Sequence, residues 1–333
     1  MNILFTSVGR RVELLKEFRQ SMYRSKIVGQ IIAADLKPTA PALSIADAAE
    51  LVPQVNDPRY IDSLLDICAR HQIDILIPLI DTELHLLALH QQQFSDLGVT
   101  VLISSLATIE ICNDKNRTNH FFAEIGVKTP KIYNSIKIDD WHFPLIVKPS
   151  MGSSSVGVHK VNNQVELDFF TNYVENAIVQ ELIIGDEYTI DCLVDFHGKA
   201  ISIVPRLRME TRAGEISKGV TVKNPALIAA AKLVVESLPG GIGCITIQCF
   251  LQRDGEIILI EINPRFGGGY PLSYQAGADF PSWMMQLFNG GDPQIAIDEW
   301  EDDLVMLRYD NAIFVKNDEI QSIELALPTS RFS

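Results

Sequence analysis

Residues 244–263, CITIQCFLQRDGEIILIEIN, constrain the fold most, because they encode two apolar strands joined at Asp254-Gly255. Asp-Gly flanked by strand-forming runs is a strong signal for a two-residue hairpin turn. With that pair as the whole loop, Arg253 faces Glu256, Gln248 lies opposite Glu261, and Thr246 lies opposite Asn263. Side chains alternate faces along a strand, so Gln248, Glu261 and Asn263 fall on one side. The other side then carries Ile245, Ile247, Cys249, Leu251, Ile258, Ile260 and Ile262, which is a core face.

A carboxylate and two amide oxygens gathered at a strand end are hard, oxygen-only donors. They suit Mg²⁺ or Mn²⁺, with phosphate oxygens and water completing an octahedron. The chain continues as PRFGGG, which places Arg265 two residues beyond Asn263 and follows it with Gly267, Gly268 and Gly269. Pro264 donates no N–H and suits the end of the strand. Glycines let backbone amides approach an anion closely. A guanidinium and exposed amides beside divalent ions are what a phosphoryl group in transfer requires.

Further signals lie upstream. The strand LIVKP ends in Lys148, and SMGSSSVG at 150–157 is a Ser/Gly loop able to wrap phosphates, although it is not a Walker A sequence. In VQELIIGDEYTID at 179–191, the backbone edge at Glu181–Ile183 is expected to meet a base, and Glu187 to accept from ribose hydroxyls. PRLRMETRAGEISKG holds a cationic set, Arg206, Arg208, Arg212 and Lys218, with a turn at His197-Gly198 placing Arg206 and Arg208 on the face of Glu187 and Thr189. These cations stand against a formal net charge of −14, so their clustering is informative.

Residues 1–105 alternate strands (3–7, 28–35, 75–80, 99–104) with helices (10–23, 59–71, 82–94), the rhythm of a parallel sheet covered on both faces. The first turn, Ser7-Val8-Gly9-Arg10-Arg11, is not GxGxxG, so a dinucleotide site resting on Asp35 is weakly supported. Beyond 106 a helix is expected over 113–125, then mostly strands, with helices at 225–237 and within 272–288.

Net charge argues against nucleic acid or an anionic membrane as partner. No apolar run approaches the roughly 20 residues of a membrane span. MNILFTSVGRR reads as a first strand rather than a signal peptide. Five cysteines without a CxxC pair read as buried thiols of a reducing compartment, so a cytoplasmic location is expected.

Taken in order, CNDK (112–115), IVKPSMGSSSVGV (146–158), QELIIGDEYTID (180–191), ITIQCF (245–250) and EINPRFGGGYPLSYQAG (261–277) resemble the ATP-grasp superfamily. The resemblance is to its biotin-carboxylase and carbamoyl-phosphate-synthase large-chain branch. It implies a Rossmann-like pre-ATP-grasp domain at 1–105, a small lid subdomain at 106–185 and a large subdomain carrying the Mg²⁺ site at 186–333. It also implies ATP and two Mg²⁺ (or Mn²⁺) as cofactors. Lys115, Lys148 and the Ser153, Ser154 and Ser155 loop would contact phosphates. Glu181 and Ile183 would meet adenine with Gln180 alongside, and Glu187 would hold the ribose. Gln248, Glu261 and Asn263 would bind metal, while Arg265 and Lys148 serve catalysis. Arg206, Arg212, Lys218, Arg265 and Gly268 would receive the substrate, and a homodimer is a family-level expectation.

The function these readings favour is a carboxylate–amine ligase that works through an acyl-phosphate and releases ADP. Two alternatives stand beside it. One is a component like the carbamoyl-phosphate synthase large chain, acting on bicarbonate or carbamate. The other is an ATP-sensing module without turnover, disfavoured because binding alone does not require Arg265. The acid and the amine are not legible.

Overall fold

The computed structural model describes residues 1–133, 142–152, 157–212 and 214–325, with side chains to 323. The first sheet is parallel and five-stranded: β1 (Ile3–Thr6), β2 (Ile31–Asp35), β3 (Ala48–Leu51), β4 (Ile75–Pro78) and β5 (Thr100–Val101), in the order β3-β2-β1-β4-β5. Its inner strands are buried throughout, as runs such as ILFT and IIAAD require of strands covered on both faces. Helices α1 (Val12–Arg24), α2 (Tyr60–His71), α3 (Asp81–Leu89) and α4 (Gln91–Asp96) connect them. The expected helix 82–94 is therefore two helices, broken at His90, and β3 is a strand the sequence reading did not include.

α5 (Leu106–Asn113) and α6 (Lys115–Glu124) replace the single helix expected over 113–125. Asp114 makes the break: its backbone is extended, its carboxylate caps α6 by accepting from the amides of Asn116 and Arg117, and it bridges to Met151. A small antiparallel sheet follows, from β6 (Ile132–Tyr133), β7 (Leu145–Pro149), β8 (His159–Val161) and β9 (Ala177–Glu181), in the order β6-β9-β7-β8, with α7 (Gln164–Tyr173) packed on it.

The third sheet is six-stranded: β10 (Asp186–Val194), β11 (Ala200–Arg212), β12 (Glu215–Thr221), β13 (Gly243–Leu251), β14 (Ile257–Asn263) and β15 (Val305–Leu307). Its order is β14-β13-β10-β11-β12-β15. α8 (Pro225–Ser237) buries Leu227, Ala231, Val234 and Val235 against one face, together with Ile190, Ile245, Ile247 and Cys249. α9 (Tyr270–Gln275), α10 (Phe280–Phe288) and the terminal α11 (Asn317–Leu325) complete the chain. Tyr270, Phe280, Met284 and Met285 share one core with Ile3, Phe5, Phe18 and Met22, so the parallel sheet is joined to the antiparallel one through continuous apolar packing. That packing brings Arg11, in the turn after β1, against Gly268 of the glycine run.

Candidate functional site

The β13–β14 hairpin differs from the sequence reading at two points that cancel. Its loop has three residues, Arg253–Gly255, closed by the Gln252 amide donating to Glu256 O at 2.8 Å, with Gly255 at φ +89°. The ladder therefore starts one residue out of the expected register, pairing Leu251 with Ile257 and Cys249 with Leu259. A bulge at Ile260 then restores it, and Gln248 faces Glu261 and Thr246 faces Asn263. The assignment of Ile258 and Ile260 to the core face is thereby corrected: Leu259 enters the core beneath α8, and Ile260 lines the cleft with Phe250. The β10–β11 hairpin repeats the device, with a loop at Phe196–Gly198, Gly198 at φ +83°, and a register shift after Leu193 that leaves Thr189 opposite Arg206.

Gln248, Glu261 and Asn263 thus present oxygens to one cavity. Asn263 Nδ2 donates to Glu261 Oε1 at 3.0 Å, and Asn263 Oδ1 accepts from Arg265 at 3.2 Å while keeping a second lone pair. Among the described residues no three His, Cys, Asp or Glu side chains form a metal-sized cluster. One carboxylate and two amides are too few donors for a protein-only site, but they fit a cation that arrives with phosphate oxygens.

Across the cleft the small sheet supplies Lys148 from β7, and α6 supplies Lys115 at its first residue. Burial pulls the Lys148 ammonium down to about 8, the charge of Lys115 adds to this, and Glu261 partly opposes it. Lys115 is lowered too, by burial, with Glu261 offsetting; its Nζ donates to Gly152 O at 2.8 Å. Between the two sheets the cleft has apolar walls at Ile146, Val158, Leu182, Phe250 and Ile260. Gln180 is buried at its back, and the Glu181 amide donates to Lys131 O, which leaves the carbonyl as the backbone group Glu181 has to offer. Ile183 stands beyond the last ladder pair. Glu187 sits on the floor, raised by burial and drawn back by Arg208 at 3.1 Å.

Beyond the oxygen set lies a second, smaller cavity rich in guanidinium groups. Arg206 and Asp191 are fully buried and doubly bonded, Nε to Oδ2 at 2.8 Å and Nη2 to Oδ1 at 2.9 Å, with Ser273 Oγ donating to the same carboxylate at 2.6 Å. Arg206 Nη1 is buried without a partner among the described residues. A buried donor left unpaired is costly, and this one lines a cavity. Gly269 must be a glycine because a Cβ there would collide with that Nη1. Arg265 is gripped by Asp81 (Nε to Oδ1 2.9 Å, Nη2 to Oδ2 2.6 Å) and by Phe266 O and Asn263, which uses four of its five N–H donors. Asp81 opens α3, and the turn before it is braced by Glu83, whose carboxylate accepts from the amides of Leu79 and Ile80.

The structure brings together Lys115, Lys148, Gln180, Glu181, Ile183, Glu187, Gln248, Glu261, Asn263, Arg206, Arg265 and Gly268 around these two connected cavities. Two expected substrate residues stand apart. Arg212 is exposed and paired with Asp310 at 3.1 Å, and Lys218 is paired with Glu210 at 2.5 Å on the outer strands, and neither is among the residues lining these two cavities. Ser153, Ser154 and Ser155 lie outside the described residues. Sequence reasoning missed Arg11, Asp81, Asp191, Glu215 and Arg308. Arg11 was detectable: it stands in the first strand-to-helix turn, and parallel sheets bind ligands at the carboxyl ends of their strands. Asp35, considered there as a dinucleotide contact, instead accepts from the amides of Gly9 and Lys37 and braces that turn.

A small antiparallel sheet closing over a larger one, with lysines between them and an amide–carboxylate set at a hairpin end, defines the ATP-grasp class. The chain carries an ATP-grasp domain, matched over residues 112–269, preceded by a PylC-like, N-terminal domain, matched over residues 3–102. Among curated relatives, the formate-dependent phosphoribosylglycinamide formyltransferase of Trichormus variabilis is 27% identical over 274 residues, covering 76% of this chain and 67% of that protein. D-alanine–D-alanine ligase A of Bacillus cereus is 30% identical over 183 residues, 49% of this chain and 59% of the ligase. Of solved structures, the biotin carboxylase domain of 2-oxoglutarate carboxylase from Hydrogenobacter thermophilus superposes with a TM-score of 0.72 at 17% identity, covering 91% of this chain and 73% of that one. That domain is in complex with MgADP, ADP and bicarbonate. An L-amino acid ligase from Bacillus licheniformis gives 0.66 at 19% identity, covering 86% and 73%. At these identities the superpositions speak for the fold.

Proposed function

We propose that this chain is an ATP-dependent carboxylate–amine ligase that proceeds through an acyl-phosphate and releases ADP. The observation that carries this reading is the placement of Glu261, Asn263 and Gln248 between two lysines, Lys148 buried and Lys115 half-buried, on one side and the guanidiniums of Arg265 and Arg206 on the other. The apolar walls around Phe250 and Ile260 suit a purine, and Glu187 on the floor suits a ribose. Lys148 and Lys115 would hold phosphates, and Gln248, Glu261 and Asn263 would hold Mg²⁺ against them. The bound metal would neutralise charge developing on the transferred phosphoryl group. Arg265, locked by Asp81, directs its remaining N–H at the reacting oxygens without needing to reorganise. Arg206 Nη1 would donate to the substrate carboxylate, so that the carboxylate's other oxygen is held in line for attack.

The test is to incubate the protein with MgATP, hydroxylamine and a panel of small carboxylic and amino acids. Hydroxamate with stoichiometric ADP is the expected result, and AMP would sink the mechanism in favour of adenylation. The reading of a sensor without turnover fails on the same ADP measurement. Five free cysteines, four of them buried, support a cytoplasmic location, and among the described residues no helix is long and apolar enough to cross a membrane. Small molecules are the partners this site would take, and a homodimer is a reading for sedimentation to judge.

Lys148 gives a pH prediction. With its pKa lowered to about 8, the free protein holds it partly neutral at pH 8, and incoming phosphates favour the ammonium. Nucleotide binding at pH 8 should therefore take up protons, and affinity should fall as pH rises past 8. Calorimetry in two buffers of different ionisation enthalpy reads the uptake, which Lys148→Met should remove. For folding the sign is the opposite. The folded pKa lies below the unfolded value, so the cost of burying this ammonium is full below about 8 and is relieved as pH rises from there.

A further inference from the structure

At the mouth of the guanidinium cavity, Glu215 at the start of β12 is surrounded by three arginines from two distant parts of the chain. Arg11 Nη1 lies 3.5 Å from its carboxylate, Arg308 Nη1 3.4 Å and Arg10 Nη2 3.9 Å. These are charge contacts without the short, parallel geometry of a bidentate pair. None of the three arginines has another carboxylate within ion-pair distance among the described residues. One carboxylate shared by three guanidiniums leaves an excess of positive charge at one spot. The spot is accessible, since Arg10 is 81% exposed, and Arg308 and Glu215 are each exposed by about a third. It is also built. Arg308 is anchored on the carbonyls of Ile216 and Gly268, and a Cβ at Gly268 would fall on Arg11 Nη1 and the Glu215 carboxylate. Glu215, Arg11 and Gly268 line the same cavity as Arg206 and Arg265.

We propose that Arg10, Arg11 and Arg308 form a second anion site for the substrate, with Glu215 as the counter-ion that yields to it. The acid that enters this cavity accordingly carries two anionic groups. One is the carboxylate that reacts beside Arg265, and the other is a second carboxylate or a phosphate ester held at the mouth. An ammonium group in that place is disfavoured, because it would face three guanidiniums to reach one carboxylate. This inference rests on the ligase reading for the identity of the reacting group, but the anion site itself does not.

The test uses the full chain saturated with Mg²⁺ and a non-hydrolysable ATP analogue, so that the nucleotide's phosphate positions are filled. Inorganic phosphate, succinate and acetate are titrated separately by calorimetry. Glu215→Gln should tighten binding of the dianions about threefold, and Arg308→Gln should weaken it about tenfold. Arg10→Gln, a surface change with little risk to folding, should weaken it about threefold. Acetate should be indifferent to all three. Binding of phosphate alone identifies a phosphate ester as the second group, whereas binding of succinate as well identifies a carboxylate. Dianion affinity unchanged in the three variants, or absent even in Glu215→Gln, overturns the proposal and leaves the ligase reading standing. Variant-dependent dianion binding in a protein that never releases ADP overturns the ligase reading and leaves the anion site.

Discussion

Replacing Glu261 by Gln is expected to lower substrate-dependent ADP release by about 10²–10³-fold, the scale set by losing one preorganised electrostatic contact to the reacting group. Glu261 is the only carboxylate of the Gln248–Glu261–Asn263 set, and it also lends charge to both Lys115 and Lys148. Gln is isosteric and can still accept from Asn263 Nδ2, now 3.0 Å away, so stability should change by about 0.5 kcal/mol or less. Activity lost with an unchanged melting curve would support the metal role. Turnover near that of the unaltered protein would rule it out.

The second large effect concerns stability. Asp191→Asn is expected to cost about 3–5 kcal/mol, because it leaves the fully buried Arg206 guanidinium without its counter-charge. The cost belongs to the broken pair rather than to the pair's net contribution. Changing both partners, Asp191→Asn with Arg206→Met, should therefore recover most of it, since an apolar side chain of similar length can fill the space. Denaturant midpoints of the two single variants and the double variant measure the difference. The double variant should fold well yet lose binding of carboxylate substrates, because the unpartnered Nη1 goes with the arginine. A single variant as stable as the parent would mean that the buried charge is compensated elsewhere.

Much of this architecture was legible because strand periodicity is a rigid code. The apolar alternation in ITIQCF and the position of Glu261 and Asn263 in IEIN fixed which oxygens meet, and the basic–acidic sequence around 187–208 placed Arg208 beside Glu187. The correct pairing nevertheless emerged from two compensating differences, a longer loop and a bulge at Ile260, which no count of residues across a presumed two-residue turn can detect. What misled was local charge. Arg212 and Lys218 look like the rest of the cationic set in sequence, but β11 and β12 carry them past the cavity to solvent. What was missed is non-local. Asp81 lies 184 residues from the arginine it grips, and Arg308 reaches the site only because β15 returns to the sheet edge.

The apolar seam between the parallel sheet and α9–α10 bears on how such chains can be recombined. Because Phe5, Phe18 and Met22 are sealed by Tyr270, Phe280 and Met284, excising the first hundred residues would bare a greasy slab on each fragment and take Arg11 and Asp81 with it. A chimera that borrows a foreign N-terminal half must import the matching helices along with it, or it will be sticky before it is inactive.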